Sequence, residues 1–194
     1  GLFVDGGDRR AKLSQFWMLL VLSATIAAGG VIGDATPAVI GAMIVAPLAT
    51  PIYGVALATA VGAPKRLRAA FLLLTAGIAV NILIGVLVGL LATHRMPLDA
   101  NPQIIGRTAP TVLDLIVAVA TGIAGSFALT RRDVSNILAG VAIAISLVPV
   151  LAVVGTTFGA GPFHLARGAP ILFPNNLDAI TLAAPPLLPA SRTR

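Results

Sequence analysis

Two prolines four residues apart interrupt a long uncharged run of the chain. Pro47 and Pro51 lie within residues 35–64, and this run exceeds the ~20 apolar residues that a membrane crossing needs. Because proline lacks a backbone N–H, Pro47 is expected to free the carbonyl of Met43, and Pro51 that of Pro47. Lipid cannot pair a bare carbonyl, so such a break persists where it is buried in protein or lines a polar cavity. The break therefore predicts a binding site at mid-membrane depth.

Further polar residues lie inside other apolar runs. Asn81 occupies the centre of the third run, Ser146 and Pro149 that of the fifth, and Asn176 and Asp178 fall within the last. The predicted substrate-binding residues are Pro47, Thr50, Pro51, Tyr53, Asn81, Ser146, Pro149 and Asn176. Asp178 is the candidate for coupling to an ion such as the proton, because acidic residues inside membranes usually carry function. The alternative is that Asp178 lies in a loop.

The sequence lacks the usual parts of a catalytic or metal site. The chain has no cysteine, which excludes disulfides and thiolate ligands. His94 and His164 lie in predicted loops and do not have the spacing of metal ligands. Paired acids and Ser/His pairs do not occur in the apolar runs. We therefore expect no catalytic residue, no metal, no cofactor and no enzyme activity.

Composition indicates lipid as the main surrounding of the chain. Hydrophobic residues make up 57% of the 194 residues, against about 45–50% in soluble domains. Charged residues make up 10%, against about 25%. The net charge of +6 comes from short basic clusters at the ends of apolar runs, as membrane topology favours. The expected partner is therefore membrane lipid and not nucleic acid.

The apolar runs predict an all-α fold, a polytopic transmembrane helical bundle with about six crossings. Pro174, Pro185 and Pro186 interrupt the last run, so a re-entrant or partly unwound segment is the alternative there. The predicted crossings are Leu13–Gly33, Ala35–Gly62, Ala69–Thr93, Thr111–Thr130, Val134–Gly159 and Ala169–Leu188.

Basic residues predict the orientation of these crossings. With the N-terminus inside, ten of the thirteen Lys and Arg residues are inside and three, Arg95, Arg107 and Arg167, are outside. This places both termini in the cytoplasm and the protein in the inner (plasma) membrane. The first run is too long for the apolar part of a typical cleaved signal peptide. Gly1 in place of Met suggests a processed or trimmed start, so upstream sequence is expected.

An internal repeat is predicted from matching spacings. Asp34 and Gly41 are seven residues apart (41−34), as are Asp133 and Gly140 (140−133), and Pro51 and Pro149 follow them. A unit with three crossings repeats in inverted orientation, and paired interrupted segments are typical of transporter sites. The alternative is chance similarity between Gly- and Ala-rich helices. The predicted divisions are residues 1–12, the repeat 13–93, the loop 94–110, the repeat 111–188 and the tail 189–194.

Several blocks of the sequence resemble a family known as the uncharacterised hydrophobic domain family, domain of unknown function 389. The most specific block runs from Ile40 to Leu48, and others lie at residues 51–54, 107–115 and 140–149. The resemblance covers roughly residues 16–180. It implies an integral membrane protein and says little about chemistry. Pro174 and Asp178 interrupt what is a more continuous apolar helix in the family.

These observations favour a secondary transporter or facilitator of a small solute or ion. The polar groups at the interrupted helices, and the carbonyls that prolines free, are the expected binding groups. An oligomeric channel is the first alternative, and a structural or regulatory membrane module without flux is the second. Crossings rich in small residues pack closely, so a homodimer or homotrimer is expected.

Overall fold

The fold of this chain is all-helical, as the sequence predicts. The structure is a computed structural model that describes residues 9–92, 101–108, 112–113, 116, 119–120 and 135–160; for residues 9, 49, 60, 107–108 and 135–146 the backbone alone is described. Helix accounts for 92% of these residues, and none of them is in a strand. The main helices of this part of the chain are α1 (Arg9–Ile32), α2 (Thr36–Val45), α3 (Ala49–Val61), α4 (Pro64–Ala92), α5 (Pro102–Thr108) and α6 (Ser135–Ala160).

Two of these helices are long and apolar enough to cross a membrane by themselves. They are α1, from residue Arg10 to Ile32, and α4, from Pro64 to Ala92. Helix α2 has 10 residues and α3 has 13, so they rise about 15 Å and 20 Å, and neither spans a hydrocarbon core of about 30 Å. Taken together the bent pair passes the same test of length and composition, which gives up to three spans. The apolar helices are those of a membrane protein.

The two turns that reverse the chain have the same construction. After α1, Asp34 takes a left-handed conformation (φ 47°), and the amide of Ala35 donates to the carbonyl of Gly30 at 2.8 Å. After α3, Gly62 does the same (φ 67°), and the amide of Ala63 donates to the carbonyl of Ala58 at 2.9 Å. Both are Schellman motifs, which satisfy the last carbonyls of a helix. Proline near the start of α2 and α4 then favours the next helix.

The start of α5 binds the turn between α1 and α2. The side-chain amide of Asn101 donates to the carbonyl of Val31 at 2.7 Å, and Asn101 Oδ1 accepts from the amide of Gln103 at 2.9 Å. Threonine is a residue type that favours helix caps, but Thr36 does not cap α2, because Ala35 holds the cap position. The hydroxyl of Thr36 accepts from Gln103 Nε2 at 2.7 Å. Asn101 and Gln103 therefore lie at the end of the bundle where α1 meets α2.

The closest helix pair is α4 and α6, whose backbones touch. A Cβ placed on Gly85 would lie 2.8 Å from the Cα of Gly155, and one on Gly89 would lie 3.0 Å from the Cα of Thr156. Advancing along α4 from Gly85 to Gly89 thus advances along α6 in the same direction, so the two helices run parallel. We call this contact the glycine seam; it consists of Gly85 and Gly89 on α4 with Gly155, Thr156 and Gly159 on α6.

Helix α6 is the central helix of the bundle. Residues 147–157 are all buried, and α6 packs against α1, α2, α3 and α4. A helix that is apolar all round is stable when other helices cover it on every side. Thr156 and Thr157 are fully buried, and their hydroxyls donate to carbonyls one turn earlier in α6 at 2.9 and 2.7 Å. The polar groups of this half of α6 are therefore satisfied within the helix itself.

Adding one methyl group to the glycine seam is expected to destabilise the bundle. In Gly155→Ala the new Cβ would lie 2.7 Å from the Cα of Gly85, so the helices must separate. Overpacking of this kind costs about 1–3 kcal/mol. The matched control is Gly29→Ala, because nothing lies within 4 Å of a Cβ there and Ala favours a helix by about 1 kcal/mol. Thermal unfolding in detergent, followed through Trp17 fluorescence, should show a lower midpoint for Gly155→Ala alone; equal midpoints would contradict the seam.

Candidate functional site

The chain leaves the helical conformation between α2 and α3. The two helices are bent by 49° at this point. Ala46 is extended (φ −64°, ψ 127°), whereas Leu48 is already helical again (φ −64°, ψ −19°). A residue that precedes proline is disfavoured in the α region, because the proline ring crowds it. Pro47 thereby explains why the interruption falls at Ala46.

Hydrogen bonding at the break differs from the predicted pattern. Pro51 was expected to leave the carbonyl of Pro47 without a donor, but that carbonyl accepts from the amide of Thr50 at 3.3 Å, so the expectation is wrong. The physical reason is that Pro51 lies in the first turn of α3, where amides have no partner within the helix and a missing N–H costs little. Pro51 therefore begins a helix here and does not interrupt one.

At the break, backbone amides at the start of α3 form hydrogen bonds, whereas carbonyls at the end of α2 do not. The amide of Ala46 donates to Ala42, that of Thr50 to Pro47, and that of Ile52 to Leu48 at 3.4 Å. These bonds use none of the carbonyls of residues 43–45 at the end of α2. Position 47 carries no N–H, so the carbonyl of Met43 loses its normal donor, as predicted from the sequence. The interruption thus presents carbonyl oxygens more than amide donors.

Asn81 is the most unusual polar residue of the described helices. Its side chain lies in the middle of α4 and is 0% exposed. Neither Oδ1 nor Nδ2 has a hydrogen-bond partner among the described residues. Leaving such a group unpaired in a protein interior costs about 1–3 kcal/mol, so its presence calls for a physical explanation.

The surroundings of Asn81 follow from its neighbours on α4. One turn earlier, a Cβ on Gly77 would lie 3.1 Å from Leu48 Cδ2 at the break and 3.5 Å from Phe16 Cζ on α1. One turn later, Gly85 meets α6. Residues four apart share a helix face, which drifts by about 40° per step at 3.6 residues per turn. Asn81 therefore lies on α4 between the contact with the break and the contact with α6.

The level of Asn81 along α6 follows from the same register. Gly85 contacts Ala152 and Gly155, and the two helices are parallel. One turn earlier on both helices, Asn81 is at the level of Val148 to Leu151, the turn that contains Pro149. The predicted neighbourhood of Asn81 and Pro149 is therefore compatible with the packing of α4 on α6.

Pro149 does not interrupt its helix, although a break was predicted there. Helix α6 is continuous from Ser135 to Ala160 with Pro149 inside, and the proline itself is buried. A single proline removes one backbone hydrogen bond, here to the carbonyl of Ile145, and transmembrane helices tolerate this loss. Between α2 and α3, by contrast, the chain leaves the helix at Ala46, before Pro47, and Pro51 lies in the first turn of the next helix. The prediction of two proline-broken helices is wrong for α6.

The remaining predicted residues occupy different positions. Tyr53 is 2% exposed on α3, and its hydroxyl has no hydrogen-bond partner among the described residues. Thr50 and Pro47 are half-buried at the break. Ser146 lies in α6 where the backbone alone is described. Asn176 and Asp178 lie outside the described residues. Within the described part of the chain, no group of three or more His, Cys, Asp or Glu residues could hold a metal ion.

The glycine seam and the α5 contacts were missed by reasoning from the sequence. The four-residue spacing of Gly77, Asn81, Gly85 and Gly89 was a visible signal, since such a stripe favours close packing of membrane helices. All four residues are buried. The bonds of Asn101 to Val31 cross seventy positions of the chain, and no local pattern indicates them.

Restoring both amides at the break is expected to straighten it. In the double variant Pro47→Ala/Pro51→Ala, residue 47 regains the donor for Met43 and residue 46 is free to become helical. The chain has no cysteine, so spin labels can be attached at Ile40→Cys and Val61→Cys, which are 50% and 47% exposed. Pulsed electron paramagnetic resonance should give a longer distance between the labels in the double variant. The control Pro37→Ala, at the start of α2, should leave the distance unchanged.

Comparison with known proteins places the chain among its relatives. The profile of the family described as Domain of unknown function (DUF389) matches residues 43–182. An uncharacterized protein of Methanocaldococcus jannaschii is 36% identical over 176 residues, covering 90% of this chain and 53% of that protein. The chain thus spans about half the length of this relative. No solved structure matches the chain. The chain belongs to the family described as Domain of unknown function (DUF389).

Proposed function

We propose that this protein is a secondary transporter or facilitator of a small polar solute, which binds beside Asn81 at the break between α2 and α3. The observation that carries the proposal is the fully buried amide of Asn81 without a partner. The proposed role is binding and passage, without bond chemistry. The proposed site also includes Pro47, Thr50, Pro51, Tyr53 and Pro149. Ser146 and Asn176 remain predicted members, and Asp178 the predicted coupling residue.

An unpaired amide at this position supports binding more than packing. An apolar residue at position 81 would fill the same space without losing hydrogen bonds to water, which an orphaned amide forfeits on burial. The flanking residues on the same face are Gly77 and Gly85, which have no side chain to pair with it. A polar residue kept inside a membrane protein without a partner fits a site that a solute or water fills.

The arrangement of helices fits the proposed topology. Exposed Lys65, Arg66 and Arg68 begin α4, and α5 contacts the opposite end of α1. We propose that α1, the bent pair and α4 form three crossings with the N-terminus in the cytoplasm. Since α4 and α6 are parallel, an odd number of crossings between them is required, as one crossing at residues 111–130 provides. We further propose six crossings in two inverted repeats, a cytoplasmic C-terminus, the plasma membrane as location, and a homodimer or homotrimer.

Replacing Asn81 with leucine is expected to separate function from stability. Asn81→Leu removes the orphaned amide, so the free energy of unfolding should stay the same or rise by up to about 1–3 kcal/mol, whereas flux should be lost. Thermal unfolding measures the stability. Flux is measured in proteoliposomes whose volume is followed after the external concentration of a neutral or an ionic solute is raised: the liposomes first shrink and swell again as the solute enters. The control Leu83→Ala changes a side chain on the same helix that is 57% exposed.

Several outcomes of this experiment would count against the transporter. Flux that Asn81→Leu leaves at the wild-type level would remove Asn81 from the pathway. Flux that rises linearly with solute concentration and carries a large current would indicate an oligomeric channel. If the wild type carries none of the solutes and Asn81→Leu only raises stability, a structural or regulatory module is the better description.

The inverted repeat predicts that equivalent acidic residues lie on opposite sides of the membrane. Single cysteines at Asp34 and Asp133, introduced into this cysteine-free chain, should react differently with a membrane-impermeant maleimide in sealed vesicles. Lys65→Cys serves as the control for the cytoplasmic side, and Asp133→Cys should behave like it. Labelling of positions 34 and 133 from one side would contradict both the repeat and the six-crossing topology.

A further inference from the structure

We propose that the site beside Asn81 takes an uncharged solute that presents a hydrogen-bond donor and an acceptor side by side, as urea and carboxamides do. This inference rests on the proposed function and names the class of its substrate. The observations that carry it are the two orphaned atoms of Asn81, the lack of charge along the described crossings, and the use of amides and carbonyls at the break.

The amide of Asn81 offers a donor and an acceptor at once. Both Nδ2 and Oδ1 are buried and unpaired, about as far apart as the two ends of another planar amide. A ligand with acceptors alone would leave Oδ1 unpaired, and a ligand with donors alone would leave Nδ2 unpaired. A urea or carboxamide group satisfies both in one bidentate pair.

The charges around the site favour a neutral ligand. Residues 13–33, 35–64, 69–93 and 134–163 contain no Asp, Glu, Lys or Arg. A charged ligand beside Asn81 would therefore lose its hydration without meeting a counter-charge on these segments, which is costly in a medium of low dielectric constant. A neutral solute pays no such penalty once its hydrogen bonds are replaced.

The start of α3 is a poor binding site for an anion. Anions bind helix N-termini through free amides. Here the amides of Thr50 and Ile52 donate to Pro47 and Leu48, and Pro51 has none. Residues 50–52 thus offer no free amide at this helix end, so we do not assign an anion to it.

The end of α2 favours a ligand with additional donors. The hydrogen bonds of the break leave the carbonyls of Met43, Ile44 and Val45 unused. Such carbonyls attract cations as well as N–H groups. The unpaired Nδ2 of Asn81 distinguishes the two cases, because it would repel a cation and bind the carbonyl oxygen of a urea or an amide. A neutral urea or amide pairs with both atoms of Asn81 and keeps further N–H groups for other acceptors.

Three planar probes of similar shape, one neutral molecule and two ions, test whether the site prefers a neutral ligand. Urea has donors and an acceptor and is neutral, guanidinium has donors alone and is positive, and nitrate has acceptors alone and is negative. Isotope-labelled uptake of each into proteoliposomes is measured with the membrane potential clamped by valinomycin and potassium. We expect the wild type to carry urea saturably above empty liposomes, malonamide to compete, and guanidinium and nitrate to stay at background.

Variants link the selectivity to Asn81. Asn81→Leu should lower urea uptake about tenfold or more, as expected when two neutral hydrogen bonds are lost. Thr75→Val is the matched control, since it removes an exposed hydroxyl of α4 that donates to the carbonyl of Phe71 in its own helix. The comparison of the three probes in the wild type does not depend on whether a variant folds.

The possible results separate this inference from the proposed function. Uptake of guanidinium or nitrate that exceeds urea and depends on Asn81 would overturn the neutral class while supporting transport. Osmotic water flux without urea uptake would also overturn it. If none of the three probes is carried, the inference is wrong, and the osmotic assay with other solutes then decides whether transport itself stands.

Discussion

The arrangement of this bundle depends on the direct contact between the backbones of α4 and α6. A Cβ would meet backbone atoms of the facing helix at each of four positions, Gly85, Gly89, Gly155 and Gly159. Any other residue there would therefore force the two helices apart. Close approach of this kind strengthens dispersion contacts where lipid offers no hydrophobic drive between helices. It also removes side chains from the face on which Asn81 lies. The residues one turn away on this face, Gly77 and Gly85, have no side chain that could pair with Asn81.

Proline has different effects at the break and in α6. Pro47 follows an extended Ala46, and Pro51 lies four residues on in the first turn of a new helix. Pro149 lies inside a continuous helix that other helices surround. One missing donor leaves enough neighbouring hydrogen bonds to keep the buried helix α6 intact. At the break the chain has already left the helix at Ala46, and Pro51 favours the first turn of the helix that follows.

Local chemistry made part of this structure predictable. The length of the apolar runs predicted α1 and α4, and the ends of the runs at Gly33 and Gly62 predicted where α1 and α3 end. The place of Asn81 at the centre of an apolar run predicted a polar residue within the bundle. The contact of Asn101 with Val31 and the glycine seam join distant parts of the chain, and single-sequence patterns do not encode such partners. Thr36 illustrates the difference. Its residue type favours a helix cap, but its hydroxyl accepts a hydrogen bond from the distant Gln103 instead. Membership of the family indicates no reaction or ligand, so the candidate site rests on the buried, unpaired amide of Asn81.

The same contacts indicate which part of the bundle is free to change. Helices α4 and α6 are joined backbone to backbone, whereas α2 packs mainly on α1 and α6, and α3 mainly on α4. The two short helices are joined by residues 46–48, so their relative angle can change by rotation about a few backbone bonds. Gly77 contacts Leu48 one turn before Asn81, and Gly85 contacts α6 one turn after it. The orphaned amide of Asn81 therefore lies on α4 between the short, bent helix pair and the rigid glycine seam.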